Sequence, residues 1–249
     1  MITIKSPVER TNLRASGKIL GRVVKALMEQ VAPGVRLLDL ELTADRIIRT
    51  AGAKPAFKGY RGYSNILCTS VNEEVVHCPP TDRVLCDGDI VSIDAGVIYN
   101  GMYSDCAVTV PVGNVSSEAQ WLINVTRTAL YEKAAGVIKP GSTIGDIGHA
   151  IQSFVEPTGF TIVRSLVGHG IGRNLHEEPS IPNYGMPDKG IELKPGMAIA
   201  VEPMINQGVA DVIFQDDGWR VVTSDGKLSA HFEHTFLITE TGHELITRI

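Results

Sequence analysis

The chain has 249 residues, of which 43% are hydrophobic and 20% are charged, as in an ordinary globular protein with a large core. Its formal net charge of −5 gives no electrostatic reason to expect nucleic acid or an acidic membrane as a partner. Since it shows no signal-peptide core, no apolar run of membrane-spanning length and no Cys-x-x-Cys spacing among its four cysteines, we expect a cytoplasmic protein with reduced cysteines.

The first half of the chain reads as two helices followed by strands. Ser6-Pro7-Val8-Glu9 has the pattern of a capping box with proline at the first helical position, and Pro33-Gly34 ends the helix that follows. A second helix is predicted from Asp39 to Gly52. We predict strands around Ile66–Val71, Ile90–Ala95 and Tyr103–Val110.

The second half repeats this order. Ser117-Glu118-Ala119-Gln120 reads as another capping box, and Thr143 to Val155 reads as a shorter helix after Pro140-Gly141. Strands are predicted near Met197–Met204, Trp219–Val222 and Thr235–Ile238. The repeated order predicts an α+β fold of two pseudo-symmetric halves, each with an antiparallel sheet covered by helices, in one domain spanning residues 1–249.

Two aspartates lie inside predicted strands, where an isolated charge is costly. Asp94 lies in the apolar segment Ser92–Gly96, and Asp105 lies in the next predicted strand. Asn100-Gly101 between them favours a hairpin turn, so we expect the two aspartates to face each other across paired strands. Taken alone, the same pattern also fits a hairpin with two solvent-facing acids.

Three further segments favour a metal site. His169 lies between two glycines, Glu202 lies inside an apolar strand, and Glu233 stands just before the apolar Phe236–Ile238. Four strand carboxylates without basic neighbours in sequence would repel one another in a low-dielectric core, and a pair of divalent cations would relieve that repulsion. Oxygen-rich ligation with one imidazole suits Mn(II), Fe(II), Co(II) or Zn(II) rather than a thiolate zinc site.

This ordered set of residues resembles the dinuclear site of the bacterial-type methionine aminopeptidase family, whose fold is called pita-bread. The resemblance covers essentially the whole chain through three more motifs: Ser70–Glu73 leading to His77, Gly168–Gly172 leading to His176–Pro179, and Val201–Pro203. It implies two divalent cations, which would be Co, Mn, Fe or Zn, and it assigns each of the five residues to one or both of these cations. Asp94 would chelate one cation, Asp105 and Glu233 would bridge both, and His169 and Glu202 would complete the second.

The same resemblance implies the reaction. The family removes the initiator methionine from nascent proteins when the second residue is small, by attack of a metal-bridging hydroxide on the peptide carbonyl. Glu202 would act as general base and acid, and His176 would stabilise the oxyanion. His77 would contact the peptide beyond the scissile bond. The implied partners are nascent polypeptide N-termini at the ribosome, and the implied state is a monomer.

The substrate pocket implied by the resemblance is apolar, with soft contacts for a thioether. Besides His77 and His176, its lining would consist of Tyr60, Tyr63, Cys68, Leu175 and Trp219. Each of its aromatic residues, taken alone, also fits an ordinary core position.

Several positions depart from the commonest family pattern. Phe57 stands near a position that is often cysteine in the family. Leu175 replaces the more usual phenylalanine before His176, and Cys78-Pro79 replaces the more usual Gly-Ile after His77. Cys106 replaces threonine, and His231 stands where glutamine is usual. These departures bear on the shape of the pocket and on the loop after His77. Asn72 and Ser229 match positions that help to hold one monovalent cation in relatives.

Two alternatives stay open at this point. One is an X-prolyl aminopeptidase or prolidase of the same fold, which would carry a further N-terminal domain for which residues 1–60 leave no room. The other is a binding module of this fold that has lost its metals, which is disfavoured because all five ligands are present. Metal analysis separates enzyme from module, and the peptides Met-Ala-Ser and Ala-Pro-Ala separate the two enzymes.

Overall fold

A computed structural model describes residues 2–249, in which helices pack on a central antiparallel sheet. A π-helical segment, Ala129–Ala134, continues the α-helix that ends at Thr128, and short 3-10 helices lie at Tyr60–Gly62 and Glu156–Thr158. None of the helices in the described range is long and apolar enough to cross a membrane. The α-helices are α1 (Pro7–Gln30), α2 (Leu37–Thr50), α3 (Ser117–Thr128), α4 (Ala135–Val137) and α5 (Ile144–Val155).

The N-terminal capping box is confirmed. Ser6 Oγ accepts a hydrogen bond from the Glu9 amide at 3.3 Å, and Glu9 Oε2 accepts one from the Ser6 amide at 2.8 Å. Helix α2 begins at Leu37, two residues before the predicted Asp39, and its N-cap Arg36 pairs with Asp39 at 2.7 Å. The side chain of Asp39 therefore stabilises the first turn from inside the helix.

The second capping box is wrong by one residue. The N-cap of α3 is Ser116, whose Oγ accepts from the Ala119 amide at 3.1 Å. The side chain of Gln120 instead donates to Asn124 along the helix at 3.2 Å. Two consecutive serines make the register of such a motif ambiguous in sequence, and the hydrophobic face of the helix decides between them.

The central sheet has nine strands. The described residues form fifteen strands in all, of which nine belong to this central sheet. The fifteen strands are β1 (Lys54–Pro55), β2 (Leu67–Val71), β3 (Glu74–Val76), β4 (Ile90–Tyr99), β5 (Met102–Pro111), β6 (Thr161–Ile162), β7 (Gly168–Gly170), β8 (Glu177–Ile181), β9 (Ala198–Val201), β10 (Met204–Asn206), β11 (Val212–Phe214), β12 (Val221–Thr223), β13 (Ser229–His231), β14 (Glu233–Ile238) and β15 (His243–Leu245). Seven of them follow the order β1-β4-β5-β14-β9-β7-β8, with β2 beside β4 and β15 beside β14. Two three-stranded sheets, β13-β10-β6 and β11-β12-β3, complete the fold.

The hairpin of β4 and β5 carries the two aspartates in a different register from the predicted one. Asn100 and Gly101 form the turn with φ values of 47° and 78°, as the dipeptide predicts. Asp94 pairs with Ala107, however, and Asp105 pairs with Gly96. The aspartates are therefore diagonal neighbours on one face rather than direct partners.

The helices cover the sheets in two similar groups. Helices α1 and α2 pack against β2, β4 and β5, whereas α3 and α5 pack against β6, β8, β10 and β13. Buried apolar side chains from both groups, among them Leu20 and Ile151, belong to one continuous core. This arrangement leaves one face of the central sheet for the polar residues described next.

Candidate metal centre and substrate cavity

Five consecutive strands of the central sheet each supply one of the predicted ligands. Asp94 lies in β4, Asp105 in β5, Glu233 begins β14, Glu202 directly follows β9, and His169 lies in β7. These strands are neighbours in the order β4-β5-β14-β9-β7, and all five side chains line the same cavity. The sheet thus gathers residues that are far apart in sequence.

The four carboxylates are desolvated, and some of their oxygens have no partner. Asp94 Oδ1 and Glu233 Oε1 are buried without a hydrogen bond to any residue in the described range. Burial, followed by repulsion from the neighbouring acids, raises the pKa of Asp94, Glu202 and Glu233 well above their usual ranges, and burial raises the pKa of Asp105 to about 7. Without a cation, these groups would have to retain protons.

His169 is held in the tautomer that suits a metal ligand. Its Nδ1 lies 2.9 Å from the carbonyl oxygen of Gly170 and donates to it, which leaves the Nε2 lone pair free. This Nε2 lies 3.6 Å from Glu202 Oε1 and 3.9 Å from Glu233 Oε1. Burial lowers the pKa of His169 to about 4, so the ring is neutral at pH 7. Donor atoms of Asp105, His169 and Glu233 lie within 4.8 Å of one another, and this oxygen-rich set fits a divalent cation.

His176 stands beside this cluster with a different partner. Its ring centroid lies 4.3 Å from that of His169, and its Nδ1 lies 2.7 Å from Tyr60 Oη. Desolvation, followed by the neighbouring His169 and His77, lowers the pKa of His176 to about 3. With the Tyr60 hydroxyl as donor to Nδ1, a neutral His176 carries its own proton on Nε2, where it can be donated to substrate.

The segment before His176 is anchored by a buried ion pair. Lys5 Nζ lies 2.8 Å from Glu177 Oε2, and Thr3 Oγ1 donates to the same oxygen at 2.5 Å. Glu177 Oε1 accepts from the amides of Arg173 and Asn174 at 2.6 and 3.0 Å. This cluster of Thr3, Lys5 and Glu177, the N-terminal clamp, fixes both ends of the turn that carries His176. Residue 172 is a glycine because a Cβ there would lie 2.3 Å from Lys5 Cε.

The cavity has a volume of about 770 Å³ and one apolar end. The Tyr63 and Trp219 rings meet edge-on at 4.8 Å, and Tyr63 Oη donates to the Leu67 carbonyl at 2.7 Å. Cys68 pairs with Asp94 across β2 and β4, which sets the apolar end next to the carboxylates. The structure brings all the predicted site residues to this cavity: Tyr60, Tyr63, Cys68, His77, Asp94, Asp105, His169, Leu175, His176, Glu202, Trp219 and Glu233.

Several residues of the cavity wall had no predicted role, among them His231, Phe214 and Thr3. His231 lies two residues before Glu233, and Phe214 is an exposed aromatic of β11. Thr3 belongs to the N-terminal clamp. The spacing of His231 from Glu233 was a usable signal, since residues two apart in extended chain share a face. Phe214 lies in a three-residue strand whose pattern gives no such signal.

Asn72 and Ser229, the residues matched to a monovalent cation, are in contact. The Ser229 amide donates to the Asn72 carbonyl at 2.9 Å. The Asn72 side chain is occupied by Asp89 and by the Ile90 amide, at 2.8 and 3.0 Å. These side-chain contacts fix the Asn72 backbone, which has a φ of 60°.

Comparisons with known proteins give matches over nearly the whole chain. A model of metallopeptidase family M24 matches residues 11–240. Methionine aminopeptidase 1 of Bacillus subtilis (strain 168) is 49% identical over 100% of both chains, and the methionine aminopeptidase of Clostridium perfringens (strain 13 / Type A) is 47% identical over 100% of both.

The fold is also similar to that of solved structures. The crystal structure of methionine aminopeptidase from Thermotoga maritima superposes with a TM-score of 0.98, at 47% identity and over 100% of both chains. The prolidase from Pyrococcus horikoshii OT3 has a TM-score of 0.79 at 23% identity, over 98% of this chain and 63% of that one, which is a likeness of fold alone. These matches confirm the predicted pita-bread fold.

Proposed function

The chain belongs to metallopeptidase family M24, and on that premise we propose that it removes the N-terminal methionine from newly made polypeptides. The observation that carries the proposal is the sheet itself, in which five neighbouring strands each bring one ligand to a cavity with an apolar end. Similarity to methionine aminopeptidases over the full chain supports the same reaction.

Two divalent cations of Mn, Fe, Co or Zn would be held by Asp94, Asp105, His169, Glu202 and Glu233. Their charge would replace the protons that the desolvated carboxylates otherwise keep. Bound there, such cations supply Lewis-acid activation of water and of the peptide carbonyl. At a further position, the backbone around Asn72 and Ser229 would hold one monovalent cation.

The protein's own side chains handle protons and charge. Glu202 is desolvated and borders the cavity, so its carboxylate accepts a proton from the attacking water and returns it to the leaving amine. His176, neutral and oriented by Tyr60, donates from Nε2 to the developing oxyanion. His77, exposed on the cavity wall, contacts the peptide beyond the scissile bond.

The apolar end of the cavity selects the first residue. Tyr63, Cys68, Leu175 and Trp219 surround a methionine side chain with polarizable and aromatic contacts. A free N-terminal amine could bind a cation held by the nearby carboxylates, whereas a formylated N-terminus could not, which favours unblocked chains. The substrates are nascent chains at the ribosome, and the protein works as a monomer with a single catalytic domain.

A peptide panel tests this proposal. With Mn(II), Fe(II), Co(II) or Zn(II) under anaerobic conditions, we expect cleavage of Met-Ala-Ser and little cleavage of Met-Arg-Ser, Leu-Ala-Ser, formyl-Met-Ala-Ser or Ala-Pro-Ala. Efficient cleavage of Ala-Pro-Ala would indicate a prolyl-specific peptidase. Failure to bind any of the four metals would indicate a binding module instead of an enzyme.

A further inference from the structure

His231 is a buried imidazole that the five-ligand scheme does not use. It ends β13, its side chain is 2% exposed, and it lines the same cavity as the carboxylates. Its Nε2 is fully buried and makes no hydrogen bond with any residue of the described range. A buried polar atom without a partner is costly, so its position requires an explanation.

His231 faces the same two glutamates as His169, at similar distances. His231 Nε2 lies 4.0 Å from Glu202 Oε2 and 3.9 Å from Glu233 Oε2. His169 Nε2 lies 3.6 and 3.9 Å from the Oε1 atoms of the same two glutamates. Each glutamate therefore stands between two imidazoles, with one carboxylate oxygen toward each ring.

The distances favour a shared cation over a hydrogen bond. Hydrogen bonds of this type span about 2.7–3.2 Å. Two donor atoms that each lie about 2.0–2.2 Å from one metal are separated by up to about 4 Å. Donor atoms of Glu202, His231 and Glu233 all lie within 4.8 Å of one another, as do those of Asp105, His169 and Glu233.

We propose that His231 is a sixth metal ligand, which binds a divalent cation together with Glu202 and Glu233. A second neutral imidazole adds no charge to the cluster, and it gives the orphaned Nε2 a partner. Nitrogen donors favour Co(II), Fe(II) and Zn(II) over Mn(II), so the extra ring shifts the cation preference of the centre in that direction.

The test compares one substitution at three histidines. His231→Gln removes the imidazole but keeps an N–H donor, and glutamine is the residue usual at this position in the family. His169→Gln serves as the positive control, and His149→Gln on the exposed face of α5 is the matched negative control. Far-UV circular dichroism and the melting temperature of the metal-free proteins check that each variant folds.

Two readouts separate ligation from other roles. Calorimetric titration of Co(II) into metal-free protein should show a Kd raised by more than about a hundredfold in His231→Gln, as in His169→Gln, beyond the loss typical of a residue that only hydrogen-bonds to a ligand, with no change in His149→Gln. Pulsed electron paramagnetic resonance of the Mn(II)-loaded proteins should show 14N coupling from two imidazoles in the unmodified chain and from one in His231→Gln.

The outcomes are distinct. An unchanged Kd and unchanged 14N coupling in His231→Gln overturn the proposal. A raised Kd with unchanged coupling also overturns it, because His231 would then only donate a hydrogen bond to a carboxylate. The proposal rests on the proposed function in one respect, that the centre binds metal. An unmodified chain that binds no divalent cation refutes both, whereas one that binds metal and cleaves Met-Ala-Ser while His231→Gln behaves identically refutes only the role of His231.

Discussion

Asp105 differs from the other three carboxylates in how strongly the protein holds it. Its amide and carbonyl both bond to Thr235 Oγ1, at 2.9 and 2.8 Å, and its Oδ1 accepts from the Cys106 amide at 3.0 Å. Asp94 Oδ1, by contrast, has no partner in the described range. The side chain of Asp105 is therefore preorganised at the middle of the cluster, where a bridging ligand would be needed.

Asp105→Asn should disable the centre while keeping the side-chain volume. The amide cannot neutralise a cation, so we expect metal affinity and kcat/KM for Met-Ala-Ser to fall by more than about a hundredfold, beyond the loss typical of an outer-shell partner. Titration calorimetry and steady-state kinetics measure the two quantities. Asp82→Asn, at an exposed loop position, is the control. Near-normal turnover of Asp105→Asn at saturating metal would remove Asp105 from the ligand set.

His176→Ala should separate oxyanion stabilisation from metal binding. We expect kcat to fall about 10²–10³-fold, the usual cost of one oxyanion donor, with KM and metal affinity almost unchanged. Tyr60→Phe should cause a smaller loss of kcat in the same direction, because it removes the hydroxyl that orients His176. Loss of metal from His176→Ala equal to that from His169→Ala would mean that the two histidines have exchanged roles.

Among the secondary structure elements, the turn between β7 and β8 depends most on distant residues. It carries His176, yet it is fixed by Thr3 and Lys5, which precede α1. Lys5 is completely buried, and desolvation is the largest influence on its amine and lowers its pKa. A buried lysine keeps its charge only beside a partner such as Glu177.

Lys5→Met should therefore loosen this turn. It leaves Glu177 buried without its cation, so we expect a stability loss of about 3 kcal/mol and a roughly tenfold lower kcat, with metal affinity unchanged. Lys18→Met, at an exposed position on α1, is the matched control. Adding Glu177→Gln to Lys5→Met should recover part of the lost stability. Strictly additive losses in this double-mutant cycle would contradict the stabilising interaction between Lys5 and Glu177.

The secondary structure elements also show where sequence patterns are enough to predict local structure. The capping box at Ser6 and the turn at Asn100-Gly101 are read correctly because each is built from local contacts. The predicted strand Met197–Met204 divides at Glu202-Pro203, because proline cannot donate a ladder hydrogen bond. Strand β8 begins with Glu177-Glu178 and has only Pro179 and Ile181 as buried apolar residues, so its sequence gives little strand signal, and it lies in the sheet through its pairing with β7.

For the site, the residue types and their order along the chain pointed to a metal centre, and the structure brings them together. The role of His231 is less visible in sequence. Its significance depends on an unpartnered nitrogen and on distances to two carboxylates, neither of which has a signature along the chain. Packing partners of this kind are decided by tertiary structure alone.

At the scale of the whole molecule, the acids with raised pKa values and the histidines with lowered pKa values make stability depend on pH in opposite directions. The carboxylates have raised pKa values, so their contribution is full below about pH 4 and is lost as pH rises through the folded pKa, which is about 7 for Asp105. His169, His176, His231 and His234 have lowered pKa values of about 3–4, so their contribution is lost only as pH falls below about 6.5. Of these two sets of groups, only the carboxylates have folded pKa values in or above the range from pH 7 to 8.5, so they decide the direction of the trend that the site contributes.

Metal-free protein should therefore lose thermal stability as pH rises from 7 to 8.5. Divalent cations should raise the melting temperature more at pH 8.5 than at pH 7, since protons compete for the same oxygens. Differential scanning calorimetry with EDTA and with Mn(II) measures both trends. In Asp105→Asn, the metal-free protein should lose less thermal stability between pH 7 and 8.5. A metal-free melting temperature that rises over this window would contradict the raised pKa values.

The place of β14 in the central sheet governs when the centre can form. This late strand lies between β5 and β9, so Glu233 reaches the other ligands only after the sheet has closed across strands that are distant in sequence. Such non-local pairings form late and slow the folding reaction. Divalent cations should therefore leave the refolding rate in stopped-flow experiments unchanged and slow unfolding, because contacts absent from the transition state act on the unfolding rate. Bound metal would then lengthen the lifetime of the folded chain without accelerating its folding.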